Sequence, residues 1–75
     1  KVVYPNPSNT DVIIYAYLNI YKNYTIVNDL GELIQKGDLS NAFTKIDVRS
    51  LIKGQYYITL YGTGKQQYVS KFLKD

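Results

Sequence analysis

The side chains able to do chemistry are few, and they lack the partners that chemistry needs. Serine hydroxyls stand at Ser8, Ser40, Ser50 and Ser70, but the chain has no histidine to take their protons and no cysteine to build a thiolate pair. The carboxylates are Asp11, Asp29, Glu32, Asp38, Asp47 and Asp75. Asp29 and Glu32 share a turn, but a working carboxylate pair needs a cleft that a chain of 75 residues barely provides. That pair reads as the polarity of a hairpin turn. Without histidine or cysteine there are no imidazole or thiolate metal ligands and no disulfides. The segment Asn28–Glu32 lacks the alternating oxygen ligands of a calcium loop. The sequence therefore assigns no catalytic residue, no metal site and no cofactor, and the chain reads as a non-enzyme.

Tyrosine is the residue in excess, nine of 75 against two phenylalanines and no tryptophan. Tyr15, Tyr17, Tyr57 and Tyr61 fall on outward faces of the expected strands, where a joint patch could stack on sugar rings. A carbohydrate-binding or adhesion module is thus the alternative function, although tyrosine also suits ordinary exposed strand positions. Nine basic and six acidic residues give a net charge of +3. The cations are scattered and include a single arginine, Arg49, which argues against nucleic acid as a partner. The longest apolar run, Val12 to Leu18, falls well short of the ~20 residues that span a bilayer, so no direct membrane insertion is expected. No signal-peptide pattern opens the chain, and Lys1 is not an initiator methionine. Residues 1–75 are expected to form one domain cut from something longer.

Strands must position these groups, because no segment sustains a helical period. From Asp11 to Ile20, Val12, Ile14, Ala16, Leu18 and Ile20 alternate with Ile13, Tyr15, Tyr17 and Asn19. Thr44, Ile46 and Val48 alternate with Lys45, Asp47 and Arg49. Tyr56, Ile58 and Leu60 alternate with Tyr57, Thr59 and Tyr61. Asn28-Asp29-Leu30-Gly31 predicts a hairpin joining Tyr24–Val27 to Glu32–Lys36, and Gly37-Asp38 predicts a break. Gly62-Thr63-Gly64-Lys65 predicts a second hairpin, joining Tyr56–Tyr61 to Gln66–Leu73. Ser50-Leu51-Ile52-Lys53 does not alternate and reads as one helical turn or a crossover, ended by Gly54. With Val2–Tyr4 first, the count reaches seven strands, and the fold class is all-β: a small seven-stranded antiparallel β-sandwich of immunoglobulin-like type. Its expected core contains Val12, Ile14, Leu18, Ile26, Ile46, Val48, Tyr56, Ile58, Leu60 and Phe72.

Three short motifs stand out. In Tyr4-Pro5-Asn6-Pro7, each proline fixes its own φ and holds the preceding residue extended, as in a protected edge strand or turn. In Gly54-Gln55-Tyr56, glycine suits a turn-to-strand corner, and the tyrosine can bury its ring while its hydroxyl reaches nearby backbone. In Ser70-Lys71-Phe72-Leu73-Lys74-Asp75, the alternation fits a final edge strand with Lys71 and Lys74 exposed, as lysines that discourage unwanted pairing.

In their order and spacing these motifs resemble the C-terminal sorting domain of the type IX secretion system, the Por system of Bacteroidetes. The resemblance rests on Tyr4-Pro5-Asn6-Pro7, on the hairpin Ile26-Val27-Asn28-Asp29-Leu30-Gly31-Glu32-Leu33-Ile34, on Leu51, Gly54 and Tyr56, and on Lys71-Phe72-Leu73-Lys74. The chain departs from the pattern at Asn28, often aspartate in the family, at Glu32, often basic, and at Asp75, which follows a tail often basic at its end. The resemblance implies a C-terminal secretion signal that directs an attached cargo protein across the outer membrane. Its implied partners are the type IX translocon, an outer-membrane sortase and the covalently attached upstream cargo. The implied route leads through the periplasm to the cell surface or the medium. The residues implied in secretion recognition are Pro5, Asn6, Pro7, Gly54, Tyr56, Lys71, Phe72, Leu73 and Lys74.

Overall fold

The computed structural model describes residues 3–5, 9–16, 20–39 and 42–75. Among these residues lie seven strands and no helix: β1 (Val3–Tyr4), β2 (Asp11–Tyr15), β3 (Tyr21–Asn28), β4 (Leu33–Asp38), β5 (Phe43–Asp47), β6 (Gly54–Gly62) and β7 (Gln67–Lys74). They form two antiparallel sheets, in the orders β1-β2-β5 and β4-β3-β6-β7. Alternation decides which face of each sheet turns inward. Val12 and Ile14 of β2 and Ile46 of β5 meet Tyr24 and Ile26 of β3, Tyr56, Ile58 and Leu60 of β6 and Phe72 of β7 in one buried cluster. Val48, just past β5, joins it. This is the expected sandwich, and each expected core residue is buried except Leu18, which lies outside the described residues. The chain crosses between sheets after β2, β4 and β5. In the handed-down immunoglobulin constant arrangement the fourth strand lies beside the fifth; here β4 pairs with β3 instead, leaving a sheet of three against a sheet of four.

Both expected hairpins form. Asn28 N–H donates to the Glu32 carbonyl and Gly31 N–H to the Asn28 carbonyl, each at 3.0 Å, closing the tight loop between β3 and β4. At the other end of the sheet, Gly62 N–H donates to the Gln66 carbonyl at 2.9 Å, closing the loop between β6 and β7.

Three expected boundaries are corrected. β2 ends at Tyr15 rather than running to Ile20; Ala16 keeps one ladder bond, to the Ala42 carbonyl at 3.0 Å, and Ile20 belongs to the turn before β3. β3 is longer than Tyr24–Val27, because its polar flanks, Tyr21 to Asn23 and Asn28, are held by pairing to β6 and β4. Gly37 does not break β4 but sits inside it, opposite Tyr24. A Cβ at Gly37 would lie 2.9 Å from Tyr24 Cε1 and Oη, so glycine here makes room for a buried ring that crosses the strand. Of the two readings expected for the segment after Val48, the structure has the crossover and not the helical turn. Leu51 N–H donates to the Val48 carbonyl at 3.1 Å, closing one β-turn that carries the chain from one sheet to the other.

An exposed ion pair flanks that crossover. Asp47 Oδ1 accepts from Arg49 N–H at 2.9 Å and Nε at 3.0 Å, and Oδ2 from Nη2 at 2.8 Å. The Arg49 side-chain hydrogen bonds, followed by its backbone N–H, pull the Asp47 carboxyl from its ordinary 3.8 down to about 2.

Two outcomes follow from these contacts. Gly37→Ala should destabilise the domain by ~1–3 kcal/mol, because the new methyl must displace the Tyr24 ring; an unchanged urea midpoint would mean that the ring yields freely. Because its folded value is lowered, Asp47 contributes stability that is complete above pH ~4 and lost as pH falls toward ~2. Solvent screens this exposed pair, so the contribution is small. Arg49→Ala should return the Asp47 titration, followed by carboxyl NMR shifts, toward the ordinary range.

Candidate functional site

The crossover from β5 to β6 is irregular backbone, so its carbonyls need partners. Two motif side chains supply them. Tyr56, buried near the start of β6, turns its hydroxyl back to donate to the Ile52 carbonyl at 2.6 Å. An immunoglobulin tyrosine corner ties the same strand junction to upstream backbone in this way. Lys74, at the end of β7, donates from Nζ to the adjacent Leu51 carbonyl at 2.9 Å. Gly54 opens β6 with φ +152, a conformation that side-chain-bearing residues rarely adopt, and no atom lies within 4 Å of where its Cβ would be. Glycine is needed there for the backbone path alone. The Tyr56 ring then packs on Phe72, with centroids 6.3 Å apart and planes inclined by 37°.

Lys74 corrects the expectation of two exposed lysines. It retains only 6% of its surface. Strand alternation is the reason: Phe72 must face the core, so Lys74, two residues on, faces the same way. Its stem lies along apolar surface and its head reaches the crossover. Lys71 and Leu73 take the outer face, and Leu73 is 45% exposed. The terminal motif thus divides into an inward pair that closes the fold and an outward pair on the exposed face.

The β3–β4 hairpin completes this end of the sandwich, since Asn28 is the register partner of Tyr56. Asn28 Oδ1 accepts from Leu30 N–H at 3.0 Å and Glu32 N–H at 2.9 Å, while its Nδ2 donates to Glu32 Oε1 at 2.7 Å. The two family departures in this hairpin are therefore a bonded pair. An amide facing a carboxylate replaces the carboxylate facing a cation that the resemblance implied. An aspartate at position 28 would bring two carboxylates together here.

Gly54, Tyr56, Phe72 and Lys74 gather at this end: Gly54 pairs with Lys74, and Tyr56 with Phe72, across the β6–β7 ladder. Pro5 is exposed after β1, in the other sheet, and the Tyr4–Pro5 peptide is cis. Asn6 and Pro7 lie outside the described residues. Among the described residues the tyrosine patch does not form. Tyr15 stacks on Phe43, with centroids 4.8 Å apart, on the outer face of the three-stranded sheet. Tyr57 and Tyr61 lie on the outer face of the other sheet, so the core separates them from Tyr15. Tyr17 lies outside the described residues. The sequence reading missed Leu30, Ile52 and Lys53 as a shared surface. Its available signal was aliphatic residues inside turn segments, but their proximity depends on two loops from different parts of the chain.

A family model, the secretion system C-terminal sorting domain, matches residues 2–75. The chain belongs to this family. The sorting domain is a C-terminal secretion signal of the type IX system, and its role links that system to a cargo protein exported to the cell surface or beyond. Sorting domains of this family are not known as enzymes. No curated protein matches the chain.

The clasp at the crossover sets a graded series of stabilities. Tyr56→Phe should lose ~0.5–1.5 kcal/mol, the net worth of its hydrogen bond. Tyr56→Ala should lose ~3–5 kcal/mol through the cavity it leaves. Lys74→Met should cost ~1–3 kcal/mol by leaving the Leu51 carbonyl without its donor, whereas Lys71→Ala should stay within ~0.5 kcal/mol. Urea denaturation of the four variants checks the order. Equal losses at the two lysines would contradict the assignment of Lys74 to the fold.

Proposed function

We propose that residues 1–75 act as the terminal address label of a larger secreted protein and are read by the translocon as a folded object. The upstream cargo crosses the inner membrane, reaches the periplasm and is carried through the outer membrane by way of this domain. A cell-surface sortase then removes the label near its N-terminal side. The match over residues 2–75 carries this reading. It is supported by the gathering of Gly54, Tyr56, Phe72 and Lys74 into one clasp, which makes the terminal strand and the crossover a single rigid unit. Within that unit the recognition residues have different tasks. Gly54, Tyr56, Phe72 and Lys74 keep the label folded, and Lys71 and Leu73 present side chains to the machinery. Pro5, Asn6 and Pro7 follow β1 in the chain, so they fall inside the domain rather than at its junction with the cargo.

Fusion of residues 1–75 behind a signal peptide and a folded fluorescent reporter, in a bacterium with the type IX machinery, tests the proposal. Reporter should reach the surface or the medium, with the domain clipped off. Retention of a folded, intact fusion in the periplasm would refute sufficiency. Deleting Lys71–Asp75 removes Phe72 and the Lys74 clasp together, so it should unfold the domain as well as block export. Lys71→Ala with Leu73→Ser separates the two effects: thermal stability should change little while export falls. Normal export of that variant would show that the outward pair is not read.

A further inference from the structure

Two large aliphatic side chains stand almost entirely in water at the clasped end of the sandwich. Leu30, in the β3–β4 turn, is 84% exposed, and Ile52, in the crossover, is 82% exposed. Neither supports the core, and turn positions ordinarily carry polar residues. They belong to opposite walls of one groove of about 330 Å³, which Asn28, Asp29, Lys53 and Tyr56 also line. The volume lies at the small end of the range for ligand pockets, enough for a side chain or two rather than a cofactor.

Both walls are fixed before anything binds. Asn28 holds the turn through the N–H groups of Leu30 and Glu32. The Tyr56 hydroxyl and the Lys74 ammonium hold the carbonyls of Ile52 and Leu51. A preformed groove avoids much of the ordering cost of association. Its charges also select the occupant. Asp29 and Lys53 place opposite signs in the groove, which suits neither an anionic lipid surface nor a nucleic-acid backbone, since each would meet the Asp29 carboxylate. An extended polypeptide satisfies all the features together: its backbone offers donors and acceptors to the two charged groups, and an apolar side chain fits between Leu30 and Ile52. A second copy is disfavoured by the net charge of +3 on each chain.

We infer that this groove is a docking slot for an extended segment of a protein of the export machinery, which seats an apolar side chain between Leu30 and Ile52. The inference rests on the sorting function and names the surface through which part of the recognition occurs.

The reporter fusion provides the test. Leu30→Ser, Ile52→Ser and the double variant should keep the wild-type thermal midpoint within a few degrees, because both side chains are exposed. Export should fall about tenfold or more in the double variant. Phe43→Ser, which removes an exposed ring from the other sheet, should export normally. If wild-type fusion is not exported, the sorting reading fails; if wild-type and double variant are exported alike, the groove alone fails. The occupant is identified separately. The chain has no native cysteine, so Ile52→Cys accepts a single benzophenone label. Illuminated with outer membranes from the same bacterium, the labelled chain should yield a polypeptide adduct. Excess unlabelled wild-type chain should suppress that adduct, and excess Leu30→Ser/Ile52→Ser chain should not. An adduct with lipid or with a second copy, no polypeptide adduct, or equal suppression by both competitors would overturn the assignment.

Discussion

The hydrogen bond from the Tyr56 hydroxyl to the Ile52 carbonyl is the constraint on which this end of the molecule depends. The chain must leave a three-stranded sheet, turn, and start the longest strand of a four-stranded sheet within a few residues. A path that short cannot form a regular ladder, so its carbonyls depend on side chains. Tyr56 serves one carbonyl while its ring fills space against Phe72, coupling the polar requirement to the packing of the core. Lys74 serves the neighbouring carbonyl from the far side, tying the last strand to the same turn.

That coupling gives a physical reason for the proposed reading of the domain as a folded unit. Gly54 and Lys74 lie twenty positions apart, yet they pair with each other, as do Tyr56 and Phe72 between them, rather than pointing outward to a reader. A disturbance at Tyr56 or Lys74 therefore spreads to the crossover and to the groove wall beside it. On the proposed reading, recognition and stability share residues at this end of the sandwich, and only the exposed side chains separate the two. The hairpin shows the same economy on a smaller scale. Asn28 and Glu32 touch, and the amide lets one carboxylate be held without a second beside it.

Much of the fold was legible in residue order. Alternation in Val12–Ile14, Thr44–Val48 and Tyr56–Leu60 names the inward face because successive strand side chains point in opposite directions. The turn residues at Asn28–Gly31 and Gly62–Lys65 located both hairpins. The readings that failed depended on neighbours distant in sequence. Gly37 looked like a breaker, but Tyr24 on the adjacent strand needs the space its missing side chain leaves. Lys74 looked like a solvated edge lysine, because charge suggests exposure. The counter-signal lay two residues earlier, in Phe72.

The sequence by itself determined the all-β class, the seven strands, the core face and the family, because these follow from local period, turn chemistry and the order of motifs. Tertiary structure decided which strands share a sheet, with β4 beside β3 rather than β5, and it separated Tyr15 from Tyr57 and Tyr61 by the thickness of the core. It also turned Lys74 inward and set Leu30 across a groove from Ile52. Those outcomes depend on contacts between segments far apart along the chain, which a local pattern of polar and apolar residues does not encode.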